Sequence, residues 1–326
     1  MIGIVSNSNN PAYNLATEEY LLKNMQQNLF FLYVNSPSII VGKHQNTLAE
    51  INLDYIDYKE IPVFRRLSGG GTVYHDYGNL NFCFITNERK GQLVNFYKYT
   101  LPILNALKKL SVDAKFGGRH DLLINGKKIS GNASHIFKNR VMHHGTLLFN
   151  SNLDTLNRSL KIDPIKYSDK AIKSVRSEVT NIVNNLPLPI SFDQFKSKVL
   201  SSLINELAAE KLYSQNDDTR SSILSLVKEK YETWDWNYGY SPHYSLKRRI
   251  RITNGCHLES QISVEKGIIV NISMKCNHAA LNKKIKNLPH LFLGKQHKKS
   301  TVCTQINKFI LQYPSFVKNH LLKAFF

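Results

Sequence analysis

Residues 65–76 read RRLSGGGTVYHD, set between the strand-like runs VFRRL and NLNFCFI. Three successive glycines remove every Cβ from a short piece of backbone, so a phosphate or a planar ligand can approach N–H groups that side chains would otherwise shield. A strand, a glycine loop and a second strand place that opening at a sheet end, where α/β folds keep their ligands. Arg65 and Arg66 precede the glycines, and Ser68, Thr72 and His75 add hydrogen-bonding groups. The plain alternative is a tight hairpin connection. No Lys-Ser/Thr pair follows Gly71 and the spacing is not that of a dinucleotide fingerprint, so an anion here is held in neither of those ways.

The chain has 326 residues, 42% of them hydrophobic, enough for a sizeable core with room for a second unit. It shows no basic leader with an apolar run and no continuous apolar span of membrane length. Met1-Ile2-Gly3-Ile4-Val5 reads as a strand, leaving no room for a transit peptide. A cytoplasmic protein with no membrane partner is the expectation. Cys83, Cys256, Cys276 and Cys303 are scattered and form no CxxC pair, which points to reduced thiols without zinc. Forty-three Lys and Arg against 24 Asp and Glu give a formal charge of +19. The lysines are spread along the chain and no nucleic-acid module is visible, so an acidic protein substrate suits the charge better than nucleic acid.

Strands at IGIVS, FFLYV and SIIVG alternate with predicted helices from about Pro11 to Gln27, Leu53 to Lys59 and Gln92 to Leu110. This is a mixed α/β domain around a sheet. Further helices are expected from Ser191, which forms a capping box with Gln194, to about Glu210, and from Asp218 to about Tyr231. After TWDWNYGYSP the pattern changes to strands near Lys247–Thr253, His257–Val264 and Ile268–Met274, with Glu265-Lys266-Gly267 as a hairpin turn, and helices close the chain. A boundary near Pro242–Tyr244 divides a domain of residues 1–244 from a small α+β unit of residues 245–326.

A second constellation lies in GGRHDLLINGKKISGNASH, residues 117–135, where Asn125-Gly126 is a strong hairpin signal. With those two as the central turn residues, Ile124 is expected opposite Lys127, Leu123 opposite Lys128, Leu122 opposite Ile129 and Asp121 opposite Ser130. Lys128, Ser130, Leu123 and Asp121 then share one face, and Lys127 lies on the other with Ile129 and Leu122. Only Lys128 is near a carboxylate and a hydroxyl. Gly117, Gly118 and Gly131 thin the backbone around that face. A surface salt bridge worth roughly 0–1 kcal/mol is the bland alternative. A lysine, a carboxylate and a glycine-rich anion loop suit attack of a carboxylate on the α-phosphate of a nucleotide, with Asp121 serving Mg²⁺ and Lys128 bridging acid and phosphate.

These residues together resemble the lipoate–protein ligase family of the biotin/lipoate ligase superfamily. The matching strings are SPSIIVGKHQN (36–46), RRLSGGGTVYHDYGNLNF (65–82), GRHDLLINGKKISGNAS (118–134), HHGTLLFN (143–150) and SVRSEVTNI (174–182), with TWDWNYGYSPHYS (233–245) leading into an accessory domain. The resemblance implies an α+β fold, a class II synthetase-like mixed sheet domain followed by a C-terminal accessory domain. It implies that lipoate and ATP give lipoyl-adenylate, whose lipoyl group passes to a lysine of lipoyl domains of 2-oxo acid dehydrogenase E2 subunits or of the glycine-cleavage H protein. By the same resemblance Arg66, Ser68, Gly69, Gly70, Gly71, Thr72 and His75 line or adjoin the lipoyl-adenylate pocket. Asn81, Asp121, Ser130, Gly131 and Thr146 fall by the nucleotide or Mg²⁺, and Lys128 matches the essential lysine.

His120 stands where many bacterial members have Asn, and His135 where some have Arg. Two relatives of this chemistry compete: a transferase that uses preformed lipoyl-adenylate, and a cysteine-dependent octanoyl or lipoyl transferase, for which Cys83 would be the nucleophile. A noncatalytic binding module would leave Lys128 dispensable. A monomer is the expected state.

Overall fold

The computed structural model describes residues 1–88, 95–118, 120–160, 167–209, 211–213, 216–253, 255–312 and 318–326. Two compact units emerge, one of Met1–Lys43, Tyr55–Leu160 and Ser174–Thr233, the other of His44–Asp54, Lys161–Lys173 and Trp234–Phe326. Among the described residues no helix is long and apolar enough to cross a membrane.

The first unit is built on a six-stranded sheet in the order Asn132–Phe137, Arg140–Leu148, Asn79–Asn87, Leu29–Tyr33, Ile2–Val5 and Lys211–Leu212. Ile2–Val5 runs parallel to both its neighbours, and the remaining pairs are antiparallel. The period-two pattern decides what each face buries. Phe30, Leu32, Leu80, Phe82 and Phe84 join Tyr99, Ile103 and Leu107 of the helix Phe96–Lys109 and Phe195, Val199 and Leu203 of the helix Phe192–Glu206 in one core cluster. The latter helix starts with the expected Ser191/Gln194 capping box. The helix Pro11–Asn24 begins at Asn10, whose side chain accepts from the Ala12 and Tyr13 amides, with Pro11 in the first turn. It stops three residues short of the expected Gln27. Of the expected helix from Gln92, residues 92–94 lie outside the described residues; the helix itself starts at Phe96, after its cap Asn95.

Two three-stranded sheets carry the motifs. In one, Ser38–Val41 lies between Val63–Arg65, parallel to it, and Val73–His75, antiparallel to it. The glycine loop therefore crosses from one edge strand to the other over the end of the central strand. The other sheet is Lys115–Phe116, Leu122–Ile124 and Lys127–Ser130. Its two-residue turn has positive φ at both Asn125 (49°) and Gly126 (77°), as a primed hairpin turn requires.

The expected register holds for Ile124 with Lys127 and Leu123 with Lys128, then fails. Leu122 pairs with Ser130, leaving Ile129 as a bulge, so the expected pairs Leu122 with Ile129 and Asp121 with Ser130 are not formed. A bulge bends its strand, and here the bend comes just before Gly131, where the chain leaves this sheet for the edge strand Asn132–Phe137 of the large one.

The second unit holds a four-stranded antiparallel sheet, Tyr167–Asp169, Tyr244–Thr253, Cys256–Glu265 and Ile268–Cys276. Lys266 and Gly267, at φ 47° and 74°, form the expected hairpin turn. The helices Ala279–Ile285, Lys299–Gln312 and Lys318–Leu322 close the chain.

Candidate functional site

Arg66 organises the glycine loop. Its Nη2 donates to the carbonyls of Gly69 and Gly71, both at 2.7 Å, its Nη1 to Ile40 O at 3.1 Å, and its Nε to Ser68 Oγ at 2.9 Å. Two loop carbonyls thus turn inward onto one planar fork. Gly70 takes φ +85°, a left-handed value suited to glycine, and a Cβ there would lie 3.1 Å from Arg66 Nη2. Among the described residues the amides of Gly69, Gly70 and Gly71 donate to nothing, and all three residues retain solvent access. Three adjacent free N–H groups are an anion cradle. The next amide, of Thr72, is taken by Ser174 Oγ at 2.8 Å.

Beneath the loop runs a chain of hydrogen bonds. Arg66 Nε donates to Ser68 Oγ, which lies 2.6 Å from His144 Nε2, and His144 Nδ1 lies 2.9 Å from a Glu18 oxygen. The Glu18 carboxylate, an acceptor, calls for a proton on that Nδ1. Glu18 also accepts from Tyr33 Oη at 3.0 Å. Ser68, His144 and Glu18 are all buried. Burial lowers the Arg66 pKa to about 10 against the raising effect of Glu18, so the guanidinium stays charged at neutral pH.

His75 ends a second chain. Asn14 Nδ2 donates to Asn35 Oδ1 at 2.8 Å, so the Asn35 amide nitrogen, 3.0 Å from His75 Nδ1, is the donor to it. The His75 proton is left on Nε2, which is buried and has no partner among the described residues. An unsatisfied buried donor costs about 1–3 kcal/mol, which a ligand acceptor would recover. Burial first, then Arg66 and His144, push the His75 pKa down to about 3, so it stands there as a neutral donor.

The hairpin brings Lys128 and Asp121 together, Nζ to Oδ1 at 2.9 Å, despite the bulge. Asp121 sits just outside the ladder, its carbonyl accepting from the Gly117 amide at 2.7 Å. Lys127 turns instead to Glu178, at 2.7 Å on the surface. The Lys128 backbone is clamped from its other edge, donating to Glu178 O at 2.8 Å and accepting from Thr180 N at 3.0 Å. Ser174, which holds Thr72, opens that same segment, so one stretch of chain ties the glycine loop to the lysine strand. Gly131 gives the lysine its space: a Cβ there would lie 3.1 Å from both Cε and Nζ of Lys128. Thr146 fixes Gly131 by accepting from its amide and donating its own, each at 3.2 Å.

Asn81 pairs with Thr146 in the sheet, donates to Tyr33 O at 3.3 Å and accepts from Asn79 at 2.9 Å. Ser130 is buried and accepts from Asn132 at 3.2 Å. Those two expected ligand-side groups are therefore joined to the site through the framework. His135 is half-buried, its pKa lowered by burial first and then by Lys43, which weakens it as a second cation. Cys83 is completely buried, and burial followed by the nearby Glu18 raises its thiol pKa well above the ordinary range. Sequence reading missed Glu18, Asn35, His144 as a network member, and Ser174.

Comparison with known proteins identifies the family of the chain. Residues 10–204 match the family described as "Lipoyl protein ligase A/B catalytic domain", and residues 241–324 match "Bacterial lipoate protein ligase C-terminus". Lipoate–protein ligase 1 of Staphylococcus aureus strain Mu50 is 45% identical over 269 residues, 81% of each chain. Among solved structures, the bipartite lipoate protein ligase of Thermoplasma acidophilum, studied with its E2 lipoyl domain, superposes with a TM-score of 0.64 at 25% identity, covering 74% of this chain and 97% of its own. Plasmodium falciparum LipL1 in complex with lipoate gives 0.62 at 26% identity, covering 94% of both chains.

Proposed function

Because the chain belongs to the lipoate–protein ligase family, we propose that it activates lipoate with ATP and passes the lipoyl group to a lysine of an acceptor lipoyl domain. The observation that carries this reading is the Lys128–Asp121 pair, 2.9 Å apart, joined through Gly131 and the Ser174 segment to a loop with three unpartnered amides. A lipoate carboxylate oxygen attacks the α-phosphorus of ATP, the bond to the bridging oxygen breaks, and pyrophosphate leaves. Lys128 and the Gly69–Gly71 amides meet the negative charge that develops on the phosphoryl oxygens. The reacting carboxylate is already ionised, so no general base is required. An acceptor lysine amine then attacks the mixed anhydride carbonyl, AMP departs and an amide forms. The His75 Nε2–H is the donor for a buried acceptor atom of the bound acyl-adenylate.

Among the described residues no group of three or more His, Cys, Asp or Glu could hold an ion. Mg²⁺ needs less than that, because it keeps waters and binds one or two carboxylates together with substrate phosphates. Asp121 supplies such a carboxylate, and the ion arriving with ATP would add charge neutralisation at the phosphates.

The acceptors in this reading are lipoyl domains of 2-oxo acid dehydrogenase E2 subunits and the glycine-cleavage H protein, in keeping with the E2 lipoyl domain paired with the Thermoplasma ligase. We further propose a catalytic domain of residues 1–244 and an accessory domain of 245–326, working as a monomer in the cytoplasm. The deciding experiment is lipoate-dependent exchange of labelled pyrophosphate into ATP. Exchange is the expected result. Absence of exchange, with transfer from synthetic lipoyl-adenylate intact, would leave a transferase without the activation step.

A further inference from the structure

The turn that carries Asp121 is held by a ring. Phe96, the first residue of its helix, stacks on the His120 imidazole with centroids 3.8 Å apart and planes 11° from parallel. Phe96 also meets His143 edge-on at 5.2 Å and 74°, and His143 stacks on Tyr99 at 5.2 Å and 21°. His143 is itself fixed, with Ser134 Oγ 3.1 Å from Nδ1 and Asn132 Oδ1 3.3 Å from Nε2. Asn132 closes the arrangement by donating from Nδ2 to the His120 carbonyl at 2.7 Å. His120 has φ +63°, a left-handed backbone that few side chains accept. Its imidazole makes no hydrogen bond among the described residues, so ring contacts locate the side chain, chiefly the close stack on Phe96, with Phe116 tilted at 47° and farther off at 6.3 Å.

We propose that His120 is a positioning residue whose stacking on Phe96 fixes the backbone at His120 and Asp121 and thereby sets the Asp121 carboxylate against Lys128. This rests on the reading of Asp121 and Lys128 as the phosphate side of the site. The backbone and the ring make separable demands. Asn is among the side chains that enter the left-handed region most readily, so His120→Asn keeps the backbone and removes the stack. Phe96→Leu removes the other ring and keeps an apolar helix start, and Phe96→Tyr keeps the stack. An aromatic pair of this kind changes an equilibrium by roughly two- to tenfold.

Two readouts test the idea, and the first does not depend on activity. In the NMR spectrum the carbon-bound imidazole protons of His120, lying over a phenyl face, are shifted upfield. Phe96→Leu moves them downfield and shifts the Asp121 amide, His120→Asn shifts the same amide, and Phe96→Tyr leaves both resonances near their original positions. The second readout is kinetic. His120→Asn lowers kcat/KM for Mg·ATP by roughly two- to tenfold with the KM for lipoate unchanged, and the double variant with Phe96→Leu loses no more than the larger single loss. Additive losses, or an Asp121 amide unmoved by either variant, overturn the proposal. Wild-type protein that fails to exchange pyrophosphate while the amide responds as described defeats the ligase reading and leaves the clamp standing.

Discussion

Replacing Lys128 by Ala separates the two adjacent lysines of this hairpin most sharply. Lys128 is 23% exposed and Asp121 12%, whereas Lys127 and its partner Glu178 are 48% and 72% exposed. An exposed pair contributes about 0–1 kcal/mol to stability and nothing to a reaction it does not touch. A fixed donor facing charge that develops in the transition state is worth about 2.7–4 kcal/mol, a factor of roughly 10²–10³ in kcat. Lys128→Ala is therefore expected to reduce lipoate-dependent pyrophosphate exchange by at least about a hundredfold, while Lys127→Ala stays within about twofold of wild type.

Lys128→Met retains the aliphatic stem and controls for lost packing, and Lys128→Arg does not restore the rate, because a planar fork does not occupy the compact space left by Gly131. Thermal unfolding of each variant separates a damaged fold from a damaged site. Exchange by Lys128→Ala within about threefold of wild type, with the fold intact, refutes the assignment, as do equal losses at both lysines, since a donor to the transition state and a surface pair should differ by roughly a hundredfold.

Three further expectations follow from the same geometry. Burial pushes His75 and His143 down to about 3 in the folded protein, from 6.5, so below about pH 6.5 the unfolded chain takes protons that the folded one refuses, and stability falls until about pH 3. That is about 2 kcal/mol for each histidine by pH 5; urea unfolding at pH 7 and 5 reads it, His143→Gln should remove about half of these two histidines' share, and equal stability at both pH values contradicts it. Gly131→Ala should depress exchange far more than stability, because the Lys128 side-chain end can yield, whereas Gly78→Ala should fail to fold, its Cβ running into the backbone carbonyl of Asn150, which cannot yield; soluble expression and exchange rates distinguish the two. Cys83→Ala should keep most activity and thiol alkylation should leave it unchanged, and loss of activity under both would indicate a thioester route.

The hairpin was legible because its turn is local: Asn125-Gly126 leaves only two residues in the loop, and register near the turn follows. Legibility ended at Ile129, where the need to bend into another sheet introduced a bulge that strand periodicity does not announce. The glycine loop was legible as an opening in the chain, but its internal wiring was not. Ser68 and His144 are 76 residues apart and His144 and Glu18 are 126 apart. Nothing in the periodicity of PAYNLATEEYLLKN marks Glu18 as buried beneath a loop. The available signal was that this helix offers little polar face, its Asn14, Thr17, Glu18 and Glu19 all being buried, so each polar side chain on it needs a specific partner.

Arg66 is the residue whose expected part the structure alters most, and the alteration has a sharp consequence. As a site arginine it would be expected to reach a ligand anion directly, yet each of its three nitrogens already donates within the protein. Its contribution is to draw the Gly69 and Gly71 carbonyls inward, leaving the amides between and beside them without partners among the described residues, and to place a positive charge behind them. Charge alone would survive Arg66→Lys; the fork would not, because an ammonium cannot span Ile40, Ser68 and two loop carbonyls at once. Losing two charge-assisted bonds at about 1.5 kcal/mol each weakens the ordered loop by roughly 3 kcal/mol, or about a hundredfold in affinity for an acyl-adenylate mimic. Calorimetric titration with a nonhydrolysable lipoyl-adenylate analogue measures it. Binding by Arg66→Lys within about threefold of wild type would mean that the cation acts by its field and that the glycine amides are ordered without it, since removing the fork is expected to cost roughly a hundredfold.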